Sequence, residues 1–172
     1  MQIMRCILFA LILSLWSCSD TPDPLFQLNA EADFNLVPGL NTFETFYFPI
    51  DRIATNYDLL SNGVDPVLVS SIQPSRAIIS APFIDFDWSI VREVSVWAIS
   101  VKDPELRAEV FFQDRINFNE QNELRLFSSL SDVKEIMMED SFNLEVRFNF
   151  RNITPAQIRC RIEMNFIANG TE

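Results

Sequence analysis

The chain has 172 residues, 13 of them basic and 24 acidic, for a formal net charge of −11, with no histidine and only three glycines. That acidic balance repels nucleic acid and anionic lipid headgroups. Without histidine there is no Ser-His-Asp or Cys-His catalysis and no histidine-bound zinc or haem, and three scattered glycines build no phosphate loop, so a carboxylate pair is the one hydrolytic device left open.

In chain order, the first element is Met1-Gln2-Ile3-Met4-Arg5 and an apolar run from Cys6 to Trp16, closed by Ser17-Cys18-Ser19-Asp20. One positive charge ahead of about eleven apolar residues is the layout of a secretory signal peptide. The run falls short of the roughly 20 residues that a spanning helix needs. Leu15-Trp16-Ser17-Cys18 resembles the lipobox of bacterial lipoproteins, with an aliphatic residue at −3 and a small one at −1. The resemblance implies cleavage before Cys18, a diacylglycerol on its thiol and acylation of the new amino group. Several acyl chains, at about 0.8 kcal/mol per buried methylene, hold a chain firmly. The polar, proline-bearing tether that follows, Ser19 to Pro24, opens Cys-Ser-Asp with a further acid at Asp23, and so resembles lipoproteins of Bacteroidota. That resemblance implies the outer membrane over the inner, with the periplasmic or surface face open.

The expected division is therefore residues 1–17 as signal, 18–24 as lipidated tether and 25–172 as one domain. Removing residues 1–17 leaves 155, with 12 basic against 24 acidic residues, net −12. A chain of that length buries a real core. Cys6 leaves with the signal and Cys18 is lipidated, so Cys160 stands alone and no intramolecular disulfide forms in the mature chain. On the apolar face of a strand, Cys160 acts as a small hydrophobe.

Strand patterns dominate the rest. Phe43 to Phe48, Pro66 to Ser71, Ala77 to Ser80 and Phe83 to Trp88 read as strands. Glu93 to Val101 is apolar on both sides, as in a central strand covered on two faces. Asp103-Pro104 ends it, and Leu106, Ala108, Val110 and Phe112 alternate after it. Ile116 and Phe118 lead to a turn at Asn119-Glu120-Gln121-Asn122 before Leu124 and Leu126. Ser131 to Glu139 reads as a short helix with a serine cap, and Asp51 to Leu60 as a second helical turn. Phe142 to Arg151 and Ile158 to Ala168 alternate most cleanly, each with one apolar and one wet face. The connector Asn152 to Gln157 fits a hairpin, with Arg147 opposite Glu163 in one register. The expected fold is all-β: a single antiparallel β-sandwich, Ig-like in general shape, with one short helix, or alternatively an open barrel or cup.

Few residues are candidates for chemistry. Asp85 and Asp87 share one strand face about 7 Å apart, as weak calcium ligands; the wet face of a half-buried strand explains them as well. Glu31 and Asp33 form a similar pair. Among 21 aromatics, Tyr47, Tyr57, Trp88 and Trp97 are the residues to consider for stacking a ligand, with Trp97 disfavoured by its buried-looking strand. Phenylalanine, at 16 residues, points mainly to core packing. Asn152-Ile153-Thr154 and Asn169-Gly170-Thr171 match the glycosylation pattern by chance. No catalytic residue, metal or cofactor is expected. The sequence thus suggests a non-enzymatic, lipid-anchored binding or assembly module of the cell envelope whose partner is another envelope protein or a glycan. Carriage of an apolar ligand such as lipid, or carbohydrate binding, is the alternative.

Overall fold

A computed structural model describes residues 24–116 and 122–170. The signal segment, Cys18, most of the tether, Phe118 and the turn residues Asn119 to Gln121 lie outside the described residues.

Among the described residues eight strands form the fold: β1 (Phe26–Leu36), β2 (Thr45–Ala54), β3 (Val69–Ser80), β4 (Val91–Ser100), β5 (Arg107–Gln113), β6 (Glu123–Ser128), β7 (Ser141–Phe150) and β8 (Ile158–Gly170). Two four-residue helices, α1 (Tyr57–Leu60) and α2 (Lys134–Met137), lie in the β2–β3 and β6–β7 connections. All ladders are antiparallel, in the order β1-β8-β3-β6-β5-β4-β7-β2. The all-β expectation therefore holds, with the eight strands running as one sheet that nearly closes into a barrel. The ladder between β5 and β6 is short, two residue pairs, so the sheet folds there into two halves. At the opposite seam β1 and β2 meet through side chains, the Phe34 and Phe48 rings lying 5.8 Å apart.

The pairing follows one rule: first strand with last, second with seventh, third with sixth, fourth with fifth. This is a long hairpin rolled up on itself, the connectivity of an eight-stranded jelly roll. It overturns the hairpin read between β7 and β8. Each buries an apolar face, but from opposite halves, so β7 lies between β4 and β2 while β8 lies between β1 and β3. Arg147 consequently faces Tyr47 and Ser95, and Glu163 faces Glu31 and Ile78.

Period-2 alternation explains the core. Along β7 every second residue from Phe142 to Phe150 is buried, and along β8 every second one from Ile158 to Ala168. The rings meet between the halves. Phe148 lies 5.8–6.3 Å from Phe34, Phe48 and Trp88 and 5.6 Å from Phe150, and Phe166 packs on Phe111 and Phe142. Cys160 is buried in the same layer, which pushes its thiol up to about 12.

Other local expectations shift. Residues 83–87 are a loop, not a strand; Phe83 and Ile84 are exposed, while Phe86 and Trp88 turn inward, with rings 4.9 Å apart. Residues 66–68 are a 3-10 turn ahead of β3, and the end of β2 occupies residues 51–54, so α1 begins only at Tyr57. Helix α2 is shorter than expected and has Val133 at its N-cap; Asp132, one residue ahead, accepts through Oδ1 from Lys134 N at 3.0 Å. Ser131, the expected cap, instead donates to Glu109 O. β1, not among the expected strands, alternates as well, with half-buried Ala30 and Ala32 between buried Phe26, Leu28, Phe34 and Leu36.

A buried polar knot fixes the end of the barrel that carries the β2–β3, β4–β5 and β6–β7 connections. Glu139, only 8% exposed, accepts from Ser100 Oγ at 2.6 Å and Val101 N at 3.1 Å, and its carbonyl accepts from Thr55 Oγ1. At the other end Thr154 clasps the β1–β2 loop. Its Oγ1 donates to Val37 O at 2.7 Å and accepts from Leu40 N at 3.0 Å. Beside it Gly39 has φ +82, a conformation that glycine reaches without strain.

Candidate functional site

The most chemically varied surface is the outer face of the β2-β7-β4-β5 half. Antiparallel register lines up three rows across it: Thr45, Asn149 and Glu93; then Tyr47, Arg147 and Ser95; then Pro49, Glu145, Trp97 and Glu109. The inward partners of these residues are the core apolar set, so the alternation that builds the core also aims these side chains outward.

Arg147 is the centre of the arrangement. Its guanidinium lies 4.4 Å from the centroid of the Trp97 ring and 5.3 Å from that of Tyr47. Nε and Nη2 also reach Glu145 Oε1, each at 2.7 Å. An arginine held between two rings and a carboxylate is a stiffened side chain, because its rotamer entropy has already been lost. Trp97 donates through Nε1 to Ser95 Oγ at 3.3 Å, and Asn149 Nδ2 donates to Glu93 Oε1 at 3.2 Å. Oδ1 of Asn149 is buried and accepts no hydrogen bond from the described residues.

Beside this cluster is a depression of about 320 Å³, lined by Tyr47, Glu93, Ser95, Glu109, Asp114 and Arg147 among others. Burial raises the carboxyl of Glu109 above its ordinary range, and the nearby charge of Asp114 adds to the effect. The hollow therefore offers fixed donors (Arg147, Asn149), carboxylate acceptors and, in Tyr47 at 56% exposure, one open aromatic face. Arg147 lies over the Trp97 ring and against one face of Tyr47, so the two rings hold the arginine while the exposed remainder of Tyr47 is left to meet a ligand.

Of the sequence candidates, Tyr47 and the disfavoured Trp97 belong to this surface. Trp88 is fully buried and Tyr57 is 7% exposed, its ring edge-to-face on Phe26 at 5.6 Å, so neither offers an exposed platform. Asp85 is exposed. Asp87 caps the 3-10 turn at Trp88–Ile90, accepting from Ser89 N at 2.9 Å and from Ser89 Oγ, so at least this carboxylate has a structural use. Among the described residues no three His, Cys, Asp or Glu side chains gather as a metal would require. Asp33 is paired with Arg161 and Arg159 at 2.6–2.8 Å, which holds its carboxyl down at about 2. Trp97 is set aside by sequence because β4 looks covered on both sides. The strand is central within its half, but its outer side is half-exposed and is covered partly by Arg147. The polar residues Glu93 and Ser95, at the same spacing as Trp97, are the pattern that marks this face.

No protein-family model matches the chain, and no curated protein does. Among solved structures it is similar to the Macrobrachium rosenbergii nodavirus P-domain, at 11% identity over 84% of this chain and 94% of that one, with a TM-score of 0.26. It is also similar to the Desmodium yellow mottle tymovirus structure, at 14% identity over 91% and 97%, with a TM-score of 0.28. Likenesses this slight carry no argument about function.

Proposed function

We propose that the chain is a non-catalytic binding module of the bacterial cell envelope, anchored to the outer membrane by lipid on Cys18, and that it takes a hydroxyl-rich ligand of the glycan class on the outer face of β2-β7-β4-β5. The anchor rests on the lipobox-like Leu15 to Cys18. The single observation that carries the ligand class is the cluster that Arg147 forms with Tyr47 and Trp97 beside the hollow. It joins an exposed aromatic ring to pre-positioned donors and carboxylates, the mixture that suits a ligand with apolar faces and polar edges. Stiffening of Arg147 before binding lowers the entropy lost on association.

The test is binding of the full mature lipoprotein, in detergent, to a glycan array that includes peptidoglycan fragments. Tyr47→Ala and Asn149→Ala are each expected to weaken a positive signal about tenfold, equivalent to roughly 1.4 kcal/mol. Silence across the array, or binding that both variants leave untouched, overturns the assignment.

A further inference from the structure

The chain leaves the barrel toward Cys18 at one particular end. Leu25 N donates to Ala168 O, and the Leu25 side chain packs at 3.4 Å from the Cβ position of Gly170, at the end of β8. Gly170 in turn pairs with Val69, the first residue of β3, directly after Val67 and Leu68 of the 3-10 turn. The Phe26–Tyr57 ring contact brings α1, and with it Leu59, to the same place. The start of the domain is therefore ringed by four exposed aliphatic side chains: Leu59 (77%), Val67 (79%), Leu68 (52%) and Leu25 (39%).

We infer that this collar is a membrane seat: the lipid-anchored domain rests its tether end on the bilayer, with Leu59, Val67 and Leu68 in the interfacial layer. The inference rests on the lipid-anchor reading of Cys18. Only six peptide steps separate Cys18 from Pro24, and at a maximum of ~3.6 Å per residue they span about 20 Å. An anchored Cys18 thus keeps this end, and no other, within reach of the headgroups. The opposite end also exposes apolar residues, among them Phe43 and Phe83, but it lies the length of β1 away, about 35 Å for eleven residues at ~3.3 Å each. The acids beside the collar, Asp58 and Asp65, fit a zwitterionic surface better than an anionic one.

The experiment uses the lipidated full mature chain, carrying Leu59→Cys, Val67→Cys or, as the far-end control, Phe83→Cys, labelled with an environment-sensitive maleimide. Cys160 does not compete, being buried with its thiol pushed up to about 12. In phosphatidylcholine vesicles with brominated acyl chains, the labels at positions 59 and 67 should be quenched severalfold more than the label at 83. Equal quenching at all three sites, on protein whose intact mass includes the acyl groups, overturns the seat and leaves the anchor standing. A mass without acyl groups on Cys18 overturns the anchor and the seat with it. Crosslinking of positions 59 and 67 to a protein in native membranes, without lipid quenching, makes the collar a protein interface and likewise overturns the inference.

Discussion

Asp33 shows how one charged side chain joins three parts of this fold. It sits mid-strand on β1 and takes both Arg161 and Arg159 from β8, while the Arg159 guanidinium lies 5.2 Å from the centre of the Phe83 ring in the β3–β4 loop. The arginines hold the Asp33 carboxyl near 2, against an ordinary 3.8. A carboxyl whose value is lowered by folding contributes stability that is complete above its unfolded value and lost as pH falls through its folded value. The pair is partly exposed, so solvent screening limits it to about 1 kcal/mol or less. Asp33→Asn should therefore be less stable than the parent at pH 7 by up to that amount and by clearly less at pH 2, where the folded carboxyl is already about half protonated, as read from urea midpoints. An equal deficit at both pH values would place the effect in packing and not in charge.

Among the elements, β7 and β8 are legible because each carries five or six alternating apolar residues, and β4 because Val94, Val96 and Ala98 mark one side. β1 carries the same signal in Phe26, Leu28, Ala30, Ala32, Phe34 and Leu36, diluted by two alanines and by the acids Glu31 and Asp33. Neighbours are not legible at all. Alternation states which side of a strand is dry, but β7 and β8 present dry sides of the same kind to one core from opposite halves. The outer-face site stayed hidden for that reason: Tyr47, Arg147 and Trp97 lie on three strands whose adjacency only the rolled pairing supplies. The connector between β7 and β8 has a structural use that its turn composition conceals. Thr154 crosses to the β1–β2 loop, where its hydroxyl satisfies Leu40 N and Val37 O while buried at 2% exposure. Thr154→Val keeps the shape and strands a buried amide, which costs about 1–3 kcal/mol. Thr154→Ser keeps both bonds and should recover most of that loss in thermal melts. If serine is as damaging as valine, the methyl contact, and not the hydrogen bonds, holds the clasp.

At the scale of the whole molecule, the rolled hairpin makes the chain fold as a unit. Its ladders join residues far apart in sequence, Phe26 with Ala168 at the extreme, so their loop-closure cost is met before the contacts form, and folding in the millisecond-to-second range follows. No disulfide staples the described residues, where Cys160 is the free cysteine, so cooperativity must come from the core. Phe148 is its junction: the ring touches Phe34 of β1, Phe48 of β2, Trp88 of the β3–β4 connection and Phe150 of its own strand. These contacts span both halves and the seam where β1 meets β2. Phe148→Ala removes a fully buried ring from that junction and should cost about 3–5 kcal/mol. The loss should appear in both halves together. In a Trp97→Phe background, Trp88 fluorescence, which reports the junction, and far-ultraviolet circular dichroism, which reports every strand, should give coincident denaturation curves with and without Phe148→Ala. Separation of the two curves in Phe148→Ala would show instead that the halves have independent stability and that the short β5–β6 ladder is a hinge between two subdomains.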